Sequence, residues 1–82
     1  PEPYMITLSG CSLNAQRMFW YIYDADMTIN RPVLLKNFSF SSNIVDRSLK
    51  ELIESCLIVR VGTRKVGHYE ISEKIRMRKD DE

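Results

Sequence analysis

Between Asn43 and Ile71 a helical pattern runs straight into a hairpin pattern, with almost no chain between them. Taken at 100° per residue, Val45, Leu49, Leu52, Ile53 and Cys56 share one face, and Asn43, Arg47, Lys50, Glu51 and Glu54 share the other. The spacing predicts an amphipathic helix over 43–55. Ser41 or Ser42 starts it, because a serine hydroxyl accepts from a free N–H of the first turn. Leu57–Val61 and His68–Ile71 follow as two short strands, with Gly62 and Gly67 bracketing the loop between them. A helix with one apolar face and a two-stranded hairpin cannot enclose a core alone, so the residues before them have to complete it.

Those residues divide into three parts. "PEPYMITLSG" (1–10) carries Tyr4, Met5, Ile6 and Leu8 between prolines and Gly10, and is expected to be a short extended arm. Ser12 caps a helix over Leu13–Asp26 in which Ala15, Met18, Phe19, Ile22 and Ala25 form one apolar stripe. Leu13, Trp20, Tyr23 and Met27 form a second stripe on nearly the opposite side. A helix apolar on two faces is buried on two faces. Either the arm folds over Trp20 or a second copy of the chain does; aromatic residues and Met are enriched in interface cores. Thr28–Ile29 is then a short extended piece, Asn30 an N-cap with Pro32 in the first turn, and Val33–Phe38 a compact helix. Ser72 caps a last helix over 73–79, ahead of an acidic tail ending at 82.

The chain of 82 residues is one small domain: an arm (1–11), a helical core (12–56), a hairpin (57–72) and a short helix with its tail (73–82). Its composition, 44% hydrophobic and 28% charged, is that of an ordinary globular domain. No run reaches the length of a membrane span, and the N-terminus lacks the features of a secretion signal. No membrane association is expected. Cys11 and Cys56 stand apart with no clustered His, so no metal is expected, and an intracellular, cytoplasmic setting with free thiols suits them. His68 is the one histidine and lacks a matched nucleophile. There is no phosphate-cradling Gly loop either, so neither an enzyme nor a cofactor is expected.

Charge is segregated. From Thr28 to Ser72 seven bases face four acids, a net of +3, while the whole chain carries +1. On the polar face of the 43–55 helix Arg47 and Lys50 precede Glu51 and Glu54, the reverse of what the helix dipole favours. Arg60 and Glu70 are placed to pair across the hairpin.

Helix, short strand, helix, turn, helix and hairpin is the order of a winged helix-turn-helix, an α+β fold of three helices and a two- to three-stranded wing. "RPVLLKNFSFSSNIVDRSLKELIESCLIVRVGTRKVGHYEIS" (31–72), about half the chain, resembles the DNA-binding core of small MarR-like regulators of bacteria, phages and plasmids. Val33–Phe38, the Ser-rich turn 39–42, the helix 43–55, the Leu57–Ile58 pair and Tyr69–Lys74 match that pattern. Where the family usually ends the recognition helix with Gly, this chain has Cys56. A non-Gly residue in the left-handed conformation costs about 1 kcal/mol or more, so either Cys56 takes that strain or the helix ends differently.

The resemblance implies a sequence-specific double-stranded DNA-binding protein, with a winged-helix protein-interaction module as the alternative. Asn43 and Arg47 would meet base edges. Ser41, Ser42 and Lys50 would hold phosphates, and Thr63, Arg64 and Lys65 would touch the backbone or minor groove, with Arg31 on the same surface. Glu51 and Glu54 would point away from the duplex. A homodimer through Leu13, Trp20, Tyr23 and Met27 would present two such helices, as in a repressor or a replication or partition factor.

Overall fold

The first long helix starts where the Ser12 hydroxyl accepts the Ala15 N–H at 3.3 Å. The computed structural model describes residues 2–39 and 41–80, apart from the side chain of residue 80, so the tail at 81–82 and Phe40 in the Ser-rich turn lie outside the described residues. In chain order it contains α1 (Pro3–Ser9), α2 (Leu13–Asp24), α3 (Arg31–Asn37), α4 (Ser42–Glu54), β1 (Ile58–Gly62), β2 (Gly67–Ile71) and α5 (Glu73–Asp80). Five helices therefore occur among the described residues, not three.

The extended arm is the clearest correction. Residues 3–9 coil into α1, with Pro3 in the first turn, where its missing N–H costs nothing. The prolines at its start and Gly10 at its end suggested extension. Packing overrides them: Tyr4 and Leu8, four residues apart, face inward, Leu8 is buried, and the Tyr4 ring lies 6.0 Å from that of Phe19.

The core is built from the expected stripe of α2. Ala15, Met18, Phe19 and Ile22 are buried against Leu34 of α3, Val45, Leu49 and Leu52 of α4, and Leu57, Ile58, Ile71 and Ile75 beyond it. Ala25 is half-buried, since α2 stops at Asp24, two residues short of the expected end. Ile53 and Cys56, expected on the buried face of α4, are instead exposed. Ser72 starts α5 with its carbonyl, which accepts from the Ile75 and Arg76 N–H groups.

How α4 ends decides where the hairpin points. Cys56 adopts φ +60°, the only non-glycine residue with positive φ among those described. Its N–H donates to the Ile53 carbonyl and that of Leu57 to the Leu52 carbonyl, both at 3.0 Å, the paired bonds of a Schellman cap. Leu57 and Leu52, the two residues such a cap brings together, are both buried. Of the two endings open to the sequence, the strained one is realised. Cys56→Gly is expected to raise stability by about 0.5–1 kcal/mol: relief of left-handed strain outweighs the entropy glycine adds to the unfolded chain. Cys56→Val is expected to lower it. Chemical denaturation of the three proteins measures both.

β1 and β2 pair antiparallel with Ile58 opposite Ile71 and Gly62 opposite Gly67. This register sets Arg60 opposite Tyr69 and Glu70 opposite Val59, on alternate faces, so the expected Arg60–Glu70 pair does not form. Glu70 bonds His68 and Arg76 instead. A third strand is reduced to one bridge, in which the Tyr69 N–H donates to the Ile29 carbonyl at 2.7 Å. Ile29 precedes α3 closely, so this bond ties the hairpin to the start of the helical pair.

Candidate nucleic-acid interface

Asn30 and Ser41 define the starts of the two helices of this region. The Asn30 Oδ1 accepts the Val33 N–H at 3.0 Å, and the Ser41 hydroxyl accepts the Ile44 N–H at 3.3 Å. The turn between the helices is anchored by Phe38, whose ring sits edge-on to Tyr21 with centroids 5.3 Å apart. α4 is thereby laid across the front of the core, with Asn43, Arg47, Lys50 and Glu54 exposed at helical spacing along its outer line.

Each flank of that line carries one acid bonded to another element. Toward α3, Asp46 takes two bonds from Arg31, Nε to Oδ1 at 2.8 Å and Nη2 to Oδ2 at 3.2 Å. Toward α2, Glu51 accepts from both the Ser12 N–H and the Ser12 hydroxyl, each at 2.8 Å. That carboxylate also sits at the N-terminus of α2, where the helix dipole favours it. The late position of Glu51 in α4, against the dipole of its own helix, therefore has a structural cause. Glu54 is exposed at the end of that same line, not turned away from it as expected, with Lys50 Nζ 3.9 Å away.

The hairpin tip is closed by Thr63. Its N–H donates to the Val66 carbonyl at 2.8 Å, and its hydroxyl accepts the Val66 N–H at 3.0 Å. Gly62 is required here: at φ +112°, an added Cβ would lie 2.4 Å from the Val66 carbonyl oxygen. Arg64 and Lys65 project at the exposed end. A shallow groove of about 330 Å³ between the tip and the start of α3 is lined by Asn30, Arg31, Arg64, Lys65 and Tyr69 among others.

The assigned residues thus fall into two groups. Ser42, Asn43, Arg47, Lys50, Arg64 and Lys65 are exposed on α4 and the tip. The side chains of Ser41, Thr63 and Arg31 already serve as a cap, a turn closure and an ion pair. The bonding roles of Asp46, Glu51 and Arg60 were not picked out from the sequence. Ser12 and Glu51 are 39 positions apart, and no local pattern joins them.

The second stripe of α2 is split. Leu13 and Met27 are 63% and 59% exposed, while Trp20 and Tyr23 are half-buried. Trp20 packs edge-on against Phe19 and Tyr23, with centroids 5.1 Å apart in each case. Tyr23 is covered by α5 of its own chain, with Lys79 Nζ 4.5 Å above its ring and bonded to its carbonyl. An open groove of about 560 Å³ runs past Trp20, Tyr21, Ala25, Met27 and Phe38.

Below the hairpin, Glu70 accepts from Arg76 and pairs with His68, and these bonds hold its carboxyl below the ordinary value of 4.5. The Arg31 bond likewise lowers Asp46 from 3.8. A carboxyl depressed in the folded state stabilises above its unfolded pKa and loses that contribution as pH falls through the folded value. Melting temperature is therefore expected to drop as pH falls below about 4.5, and Glu70→Gln to make that drop shallower.

α3, α4 and the tied hairpin together make a winged helix-turn-helix. No family model matches the chain, and no curated protein does. A solved structure of similar fold is the crystal structure of a possible HxlR family transcriptional factor from Thermoplasma volcanium GSS1. It is 21% identical, with a TM-score of 0.64 over 98% of this chain and 75% of that one. At that identity the likeness is one of fold: it supports a winged helix without singling out the MarR-like group.

Proposed function

We propose that this chain is a sequence-specific double-stranded DNA-binding protein, acting as a small transcriptional regulator or as a phage or plasmid replication or partition factor. One observation carries this. Both acids flanking the outer line of α4 are bonded within the fold, so Asn43, Arg47 and Lys50 lead that line, beside a hairpin tipped by Arg64 and Lys65. The same fold in a possible transcriptional factor agrees with this role.

α4 then enters the major groove, where Arg47 suits guanine O6 and N7 and Asn43 suits adenine N6 and N7. Ser42, Lys50 and the free amides of the helix start hold phosphates. Arg64 and Lys65 follow the backbone or enter the minor groove. Arg31 reaches a phosphate only while sharing its charge with Asp46, and Ser41 and Thr63 contribute mainly by shaping the elements they close. No catalytic group, cofactor or metal is needed. Selection from random duplex should enrich one motif; recovery of unbiased sequence would refute sequence-specific recognition.

The same proposal includes a homodimer through the outer side of α2, with Trp20 and Met27 at its centre, Leu13 at its edge and Tyr23 beneath. Two copies would meet half-sites one helical turn apart, about 34 Å. Trp20→Glu is expected to turn a sedimenting dimer into a monomer. A wild-type protein that stays monomeric at high concentration rules the dimer out.

A further inference from the structure

Arg60 stands on β1, yet its bonds go to the tip and not across the strand pair. Its Nη2 donates to the Thr63 carbonyl at 2.7 Å and to the Arg64 carbonyl at 3.3 Å. The guanidinium lies over Gly67: a Cβ added there would sit 2.5 Å from Nη2 and 2.6 Å from Cζ. Gly67 has no positive φ, so the backbone conformation does not require glycine at this position. What the absent side chain leaves is room for Arg60. The tip is otherwise held by the Thr63–Val66 bonds, and the residues between them are exposed.

Taking the hairpin as the DNA-contacting wing proposed above, we infer that Arg60 is a positioning residue, which braces the tip through the Thr63 and Arg64 carbonyls and so presents Arg64 and Lys65 in one arrangement. The brace acts by ordering. Holding the backbone of the four-residue loop ready spares the complex the entropy of fixing it on contact. Arg60 spends Nη2 on these two carbonyls and is not counted among the groups that neutralise phosphates. A methionine at position 60 would keep an unbranched stem and lose the Nη2 donor that both carbonyls accept from.

The test separates bracing from direct contact. Gly67→Ala keeps every charge and pushes the guanidinium off its seat; Arg60→Met removes both the charge and the Nη2 donor. Binding to a short duplex of mixed sequence is measured for both across a salt series, beside the wild type and the Arg64→Ala/Lys65→Ala double variant. Both bracing variants should bind about five- to tenfold more weakly with an unchanged salt slope. Amide exchange at Val66 should speed up while the melting temperature holds. The double variant should flatten the slope by about 2. Wild-type affinity in both bracing variants overturns the inference. A slope flattened by about 1 in Arg60→Met would make Arg60 a phosphate contact, which also overturns it. If the double variant binds as tightly as the wild type, the hairpin is not a DNA-contacting wing and the functional assignment fails with it.

Discussion

Arg47→Ala is expected to cost about 1–3 kcal/mol of affinity for the selected site and to relax preference at one base pair. Arg47 is exposed midway along the outer line of α4, flanked by the bonded Asp46 and followed by Lys50. A guanidinium there can meet a guanine edge with two parallel bonds, and losing them leaves the wrong bases no worse off than before. Mixed-sequence duplex should therefore show a smaller loss than the selected site. The contrast with Arg64 and Lys65 is informative: their removal should weaken all duplexes alike. Measured on the selected site and its single-base variants, an even loss would move Arg47 from base readout to phosphate contact.

Phe19→Ala is expected to destabilise the fold by about 3–5 kcal/mol. Phe19 is fully buried, and its ring meets those of Tyr4, Trp20 and Tyr23 at centroid distances of 6.0, 5.1 and 5.9 Å. It joins α1 to α2 and supports the half-buried Trp20. A domain of this size has roughly 5–10 kcal/mol of total stability, so the variant should melt tens of degrees lower. Ile6→Ala, at a site 63% exposed, should stay within about 0.5 kcal/mol. Calorimetry on the two variants checks the contrast. Similar melting temperatures would show that the aromatic cluster is not the keystone of the helical core.

Much of the fold could be read from local signals. Ser12, Asn30 and Ser41 each mark a helix start by a short-range bond, and the α2 stripe and α4 face follow from periodicity. Gly62 marks a turn that needs positive φ. What escaped depends on distant contacts. α1 looked extended between its prolines and Gly10, and packing on Phe19 holds it as a helix. Cys56 could be flagged as a problem but not resolved, since its strain is offset by burial of Leu57. At the candidate interface, the exposed bases were legible one residue at a time. The two acids that frame them were not, because Arg31–Asp46 and Ser12–Glu51 arise only when three helices meet. The Arg60–Glu70 pairing failed for a related reason: register decides which face each side chain takes, and one residue of shift reverses it.

On the proposed function, α4 and the hairpin tip meet duplex DNA together, with Lys50, Arg64 and Lys65 on phosphates. The most direct measurement is the affinity of the wild-type chain for its selected duplex as a function of salt. Three phosphate contacts predict a slope of log affinity against log salt of about −3 for each bound copy. Affinity that is absent, or indifferent to salt, would contradict it.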